Sequence, residues 1–213
     1  MQARDMFSNA PVDSLLVVDG DWVAYKIASA LEKKTIRVYN EQDTFVNEYK
    51  TRTKFKEDSK NYNVNYRIED CQTLPKKYKD TMSFLINKMV RDMLVKSGCE
   101  KVLFALGGKD NFRNDLDLPQ KYKGNRDDTI RPLSLSEVRD FIADNFPTVF
   151  SVNEEADDII SKYQYQSSID PSKRIVVATL DKDARGTPGT LFNPDEDTLV
   201  KIEGLGFVQR LEK

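Results

Sequence analysis

Ile175-Val176-Val177-Ala178-Thr179-Leu180-Asp181-Lys182-Asp183 is the stretch whose reading decides the fold. A short apolar run rich in β-branched residues, without polar alternation, predicts a strand buried on both faces, as in a parallel sheet covered by helices. The run stops at Asp181-Lys182-Asp183, so the acids fall at the carboxyl end of the strand, where open α/β sheets place their ligands. Just upstream, the segment beginning at Ser151 carries a second acidic cluster, Glu154-Glu155-Ala156-Asp157-Asp158, where Glu155 opens a helix containing Ile159 and Ile160.

Working outward, the same grammar recurs. Leu15-Leu16-Val17-Val18 ends abruptly at Asp19-Gly20-Asp21, a buried first strand with an acid at its tip. Trp22, Val23, Ile27, Ala28 and Leu31 follow at helical spacing. Met82, Leu85, Ile86, Met89, Val90 and Met93 predict an amphipathic helix from Tyr78 to Lys96 that stops at Gly98. Val102 to Leu106 is the next strand and Thr148 to Val152 another, with a helix through Val138, Phe141 and Ile142 between them, opened by a capping box of Ser134 and Glu137. Strands alternating with helices predict an α/β domain with a mostly parallel sheet. Residues 33–76 interrupt that rhythm. Thr35 to Tyr39, the turn Asn40 to Asp43, and Thr44 to Tyr49 read as a β-hairpin, followed by a polar, basic stretch dotted with aromatics, all taken as an insertion.

Composition narrows the chemistry. The 213 residues contain no histidine, which excludes imidazole bases, Ser-His-Asp triads and His-ligated zinc. Cys71 and Cys99 have neither metal-ligand spacing nor a disulfide framework, and reduced thiols in a cytosolic protein are expected. No stretch reaches the length of a transmembrane helix and Met1 to Asp13 lacks a signal-peptide pattern, so a soluble cytoplasmic protein without membrane association is predicted. The net charge of −2 hides an asymmetry. Residues 33–79 hold 12 Lys/Arg against 7 Asp/Glu, leaving 21 against 28 elsewhere, the pattern of a polyanion-binding arm on an acidic body.

If strand order permits, Asp19, Asp181 and the Glu155, Asp157, Asp158 group converge on one sheet edge. Crowded carboxylates repel unless a cation neutralises them, and all-oxygen donor sets select Mg²⁺ or Mn²⁺. Each element also has an ordinary structural explanation. Acids in the first helical turn suit the macrodipole and capping, and Asp-Gly after a strand is a routine turn.

Four motifs together go further. Val18-Asp19-Gly20-Asp21-Trp22, Tyr122-Lys123-Gly124-Asn125-Arg126, Glu155-Ala156-Asp157-Asp158 and Thr179-Leu180-Asp181-Lys182-Asp183 occur in the order and approximate spacing of the 5′-nuclease superfamily. The chain most resembles the bacteriophage 5′→3′ exonucleases and flap endonucleases of that group. The resemblance implies a single three-layer, PIN-like (Rossmann-like) α/β domain over residues 1–213. It implies Mg²⁺- or Mn²⁺-dependent hydrolysis of DNA phosphodiesters, at 5′ ends, flaps or single strands, with RNA as a further substrate, in the cytoplasm of a phage-infected host. By position, Asp19, Glu155, Asp157, Asp158, Asp181 and Asp183 would bind up to two metal ions. Lys123 and Arg126 would engage the scissile phosphate, Tyr122 would stack on a terminal base, and Arg131 would join them in contacting DNA.

The sequence departs from the family in three places. Where an aspartate usually follows the strand before the Tyr-Lys motif stands Gly108, with Asp110 the nearest acid. The connection from Asn125 to Leu133 is shorter than the family's helical arch. The family's C-terminal helix-turn-helix DNA-binding region has no counterpart between Thr190 and Lys213, so it is expected to be missing here or supplied by another chain. These departures keep open a catalytically weak DNA-binding protein derived from a 5′-nuclease. A nucleotide-binding domain or small phosphatase is the third reading, and it lacks a glycine-rich phosphate loop after the first strand.

Overall fold

A computed structural model describes residues 14–60, 65–112, 130–170 and 172–206. Tyr122, Lys123 and Arg126 lie outside the described residues. The main sheet has six strands in the order β6-β5-β1-β7-β8-β9. These are β1 (Leu15–Asp19), β5 (Lys101–Leu106), β6 (Thr148–Phe150), β7 (Ile175–Ala178), β8 (Gly189–Asn193) and β9 (Thr198–Ile202). All neighbours pair in parallel except β8 with β9, which are antiparallel. The fold is a three-layer, Rossmann-like α/β arrangement. Chain order runs outward from β1 through β5 to β6, then returns to place β7 on the opposite side of β1. The topological switch point therefore lies between β1 and β7.

Alternation along each strand builds the two flanking layers. Leu16, Val18, Phe104, Leu106, Val176 and Ala178 face α1 (Gly20–Leu31), α3 (Tyr78–Ser97) and α4 (Leu135–Asn145). Val17, Ala105, Ile175, Val177 and Leu191 face α5 (Ala156–Ile169). The central strands are apolar on both sides because both sides are covered. Helix α3 begins at Tyr78 as the spacing predicts and closes on Gly98, whose φ of 65° is left-handed.

The insertion is larger than a hairpin. Strands β2 (Lys33–Tyr39) and β3 (Phe45–Tyr49) pair as predicted, but β4 (Arg67–Thr73) adds to β2 along its whole length, giving the order β3-β2-β4. Helix α2 (Arg52–Ser59) lies in the stretch read only as polar and basic, capped by Thr51, whose hydroxyl accepts from the Lys54 amide at 3.1 Å. Phe55 is the residue that fastens α2. It joins Ile36 and Val38 in a small core of its own and meets Tyr49 and Tyr66 edge to face.

The arm is tied to the body through Glu32, whose side chain is fully buried. Its carboxylate accepts from Gln72 Nε2 at 3.1 Å and from the Leu133 amide at 3.1 Å, and pairs with Lys34 at 3.0 Å.

The predicted capping box at Ser134 is not formed. The Ser134 hydroxyl is buried without a hydrogen-bond partner, and Glu137 instead accepts from the Tyr78 hydroxyl at 2.5 Å, linking α4 to α3. A tertiary partner has outcompeted the local one.

Gly20 is required where α1 leaves β1. A Cβ there would stand 2.6 Å from Leu106 Cδ2 and 2.8 Å from the Ala105 carbonyl oxygen. Because backbone cannot yield as a side chain can, Gly20→Ala is expected to lower unfolding stability by about 1–3 kcal/mol, read from the urea midpoint.

Candidate active site

A cleft of about 720 Å³ opens at the carboxyl ends of β1 and β7, at the switch point. Four of the six predicted metal ligands line it: Asp19, Glu155, Asp157 and Asp181. Arg131 does too. Asp158 and Asp183 do not line it.

Asp19 is the innermost of these acids. It ends β1, level with Ala105 on β5, and is 8% exposed. One carboxylate oxygen accepts from the Trp22 amide at 3.0 Å, making Asp19 the N-cap of α1. The other accepts from the Thr179 hydroxyl at 3.1 Å. Burial pushes its pKa up, the two donors from Trp22 and Thr179 pull it down, and the nearby charge of Asp181 pushes it up again. Thr179 also takes a hydrogen bond from the Asp181 amide at 3.0 Å, so one hydroxyl connects the tips of β1 and β7.

Asp181 caps the short 3-10 helix Lys182–Gly186, its carboxylate accepting from the Asp183 amide at 2.9 Å. Asp183 itself is exposed on that turn. Gln164, fully buried on α5, anchors the turn from behind by donating to the Ala184 carbonyl at 2.9 Å and the Thr187 carbonyl at 2.8 Å.

Glu155 is the N-cap of α5, and Asp158 accepts from its amide at 2.9 Å. That is the return half of a capping box, so the ordinary structural explanation holds for the Asp158 carboxylate. Asp157, one residue earlier, is exposed and faces the cleft.

Sequence reasoning left three contributors unassigned. Glu154 lines the cleft and forms an ion pair with Lys162. Asp21, in the first turn of α1, accepts from the Gly107 amide at 2.9 Å. Arg139, on α4, forms an ion pair with Asp21 and donates to the Gly107 carbonyl. No local spacing links Asp21 with Arg139; only the packing of α1 against α4 across the end of β5 brings them together. A signal did exist for Asp21, an acid one turn past a strand tip.

The glycine at 108, where an acid was expected, has a physical reason. Its amide donates to Ser151 Oγ at 2.7 Å, and a Cβ at this position would lie 2.0 Å from the Ser151 carbonyl oxygen. No side chain fits there while β6 ends where it does.

The donor set suits a hard divalent cation: all carboxylate oxygen, one member buried and pushed toward neutrality, and its neighbour Asp181 raising its pKa further. Among the described residues, no three acids stand close enough together to hold an ion with the side chains as they are placed. With these acids alone, binding would require carboxylates at the cleft wall to swing inward. Neither a scan of protein-family models nor a search of curated proteins finds a match to this chain.

For Asp19 the sign of the pH effect follows from its raised pKa. A carboxyl whose folded pKa lies above its unfolded value contributes stability below the unfolded pKa, and that contribution is lost as pH rises through the folded one. In chelator at pH 7, Asp19→Asn should therefore melt at higher temperature than the unaltered protein. The gap should close as pH falls toward about 4, the ordinary aspartate value. Thermal melts across that range, followed by circular dichroism, measure it.

Proposed function

We propose that this protein is a divalent-metal-dependent nuclease that hydrolyses DNA phosphodiesters from 5′ ends or flaps. The observation that carries the reading is the gathering of Asp19, Glu155, Asp157 and Asp181 around one cleft at the sheet's switch point. Their motifs are those in which the sequence resembles 5′-nucleases, and they come from three separated segments.

Asp19 and Asp181 would hold Mg²⁺ or Mn²⁺ from the floor of the cleft, and Glu155 and Asp157 from its α5 wall. Bound there, a divalent cation lowers the pKa of water and offsets charge on the phosphate. Asp19 is kept in place for this by the Trp22 amide and the Thr179 hydroxyl, which fix both of its oxygens. Six acids line the cleft against Arg131 and Arg139 among the described residues. Such a surface repels a polyanion until cations are bound, so DNA association should depend on the metal. Lys123 and Arg126 are proposed as the cations that meet the scissile phosphate, with Tyr122 stacking on a base.

A second reading is favoured by Asp158 being committed to capping and by the bare Gly108. It is a protein of the same ancestry that binds branched or single-stranded DNA without cutting it. The two readings separate on a 5′-labelled overhang duplex with Mg²⁺ or Mn²⁺. The nuclease reading expects cleavage that chelator abolishes, and a loss of at least about 100-fold in Asp157→Ala and Asp181→Ala with circular dichroism unchanged. Salt-sensitive binding without turnover would support the second reading, and full activity in both variants would remove these acids from the mechanism.

A further inference from the structure

We propose that Arg139 receives a backbone phosphate of the bound strand, and that Asp21 is its positioning partner and not a further metal ligand. The inference rests on the nucleic-acid reading above and assigns the cation on the cleft wall formed by α1 and α4.

The donors available on that wall can be worked through one by one. At the end of β5 the floor is bare backbone, Gly107-Gly108, a surface that a phosphate could approach closely. Neither amide is available to it. The Gly107 amide donates to Asp21 Oδ2 at 2.9 Å and the Gly108 amide to Ser151 Oγ at 2.7 Å. Trp22 and Tyr25 of α1 and Arg131 ahead of α4 also line the cleft, and the guanidinium of Arg139 is the charged donor that α4 brings to the end of β5. It is held at two points, by the ion pair with Asp21 and by the Gly107 carbonyl, and its side chain is 29% exposed. A guanidinium has five donors in a rigid fork, so two fixed contacts leave others free to turn toward an oxyanion.

The position of Arg139 supports this role. It borders the main cleft and also an adjoining hollow of about 480 Å³, lined by Lys109, by Asp140 and by Phe150, which is 49% exposed. A strand leaving the acidic cleft toward that hollow passes the guanidinium. Asp21 is suited to orienting Arg139 and poorly suited to joining a metal cluster. Its Oδ1 is shut off from solvent with Arg139 as its ion-pair partner, and its Oδ2 is taken by the Gly107 amide. The charge of Asp21 is already offset by a guanidinium, whereas Asp19 has only neutral hydrogen-bond donors.

The test is anisotropy of a fluorescent 5′-overhang duplex with Ca²⁺ over a salt series, alongside kcat and KM for cleavage with Mg²⁺. Arg139→Ala should weaken binding about 10- to 100-fold, the worth of a charge-assisted hydrogen bond, and lower the slope of log K against log salt by about one. Its cleavage defect should fall on KM. Arg139→Lys should recover part of the affinity, which guards against a misfolded alanine variant. If Asp21 acts only through Arg139, Asp21→Ala should cost as much as Arg139→Ala alone and little more in the double variant. It should also leave the Mg²⁺ concentration for half-maximal activity unchanged. Unaltered affinity and salt slope in Arg139→Ala would overturn the inference while leaving the nuclease reading intact. An Asp21→Ala loss that adds fully to that of Arg139→Ala, with a raised Mg²⁺ requirement, would make Asp21 a metal ligand and overturn its positioning role. A protein that neither binds nor cuts the duplex would remove the underlying reading together with this one.

Discussion

Asp19 sets the central constraint, because a carboxylate at the inner end of a buried strand loses most of its hydration and must be compensated locally. Two of the compensations are hydrogen bonds, from the Trp22 amide and the Thr179 hydroxyl. Both depend on tertiary structure. The first requires α1 to start immediately after β1, which requires Gly20 beneath Leu106. The second requires β7 to pair with β1 in the register that sets Val18 beside Ala178. The same register brings Asp181 close enough to oppose the ionisation of Asp19. Hydrogen bonds satisfy the oxygens of Asp19 but do not cancel its charge, and the net effect is a raised pKa. A site of this kind is less stable than a neutral one would be, a penalty that the proposed divalent cation would reverse.

What could be read from the sequence follows from how local each cause is. The strands β1, β5 and β7 are buried on both faces, and such burial leaves an uninterrupted apolar run that is visible without neighbours. Helix α3 announces itself by spacing and by Gly98. Acids at strand tips were legible for the same reason, since a strand that ends at a polar residue ends there in any context. Helix α2 and strand β4 were not legible. Helix α2 has one buried residue, Phe55, and β4 alternates only weakly, so their pairing partners and not their own patterns define them. The pairing of Ser134 with Glu137 was legible and still misleading, because Tyr78, 59 residues before Glu137, competes for the same carboxylate. Arg139 lay beyond sequence reasoning for the same reason of distance.

The basic arm keeps its surplus of cations once it is folded. Four of its twelve cations pair with its own acids: Arg37 with Glu48, Arg52 with Asp70, Lys54 with Asp58, and Arg67 with Asp43 and Glu69. Arg67 also lies 4.1 Å from the centre of the Tyr39 ring. Exposed pairs of this kind contribute at most about 1 kcal/mol each, so they are weak as fasteners. The acids of these pairs are already subtracted in the arm's net surplus, 12 Lys/Arg against 7 Asp/Glu, so the surplus of positive charge remains.

Glu32 gives that arm a different significance. Its buried carboxylate holds Gln72 of β4, Lys34 of β2 and the amide of Leu133, and Leu133 lies two residues from Arg131 on the cleft wall. The arm is thereby joined to the stretch that enters α4, the helix carrying Arg139. A carboxylate enclosed this way cannot release one partner without leaving an oxygen unsatisfied or a charge uncovered, a cost of the order of 1–3 kcal/mol. The base of the arm and the entry to α4 are therefore constrained to move together. The cations of one cleft wall are set by the α1 to α4 contact on one side and by the Glu32 junction on the other, while the acids opposite are set by β1, β7 and α5. Because the two walls are positioned by different parts of the fold, the separation between acid and cation is a property of the whole domain and not of any single motif.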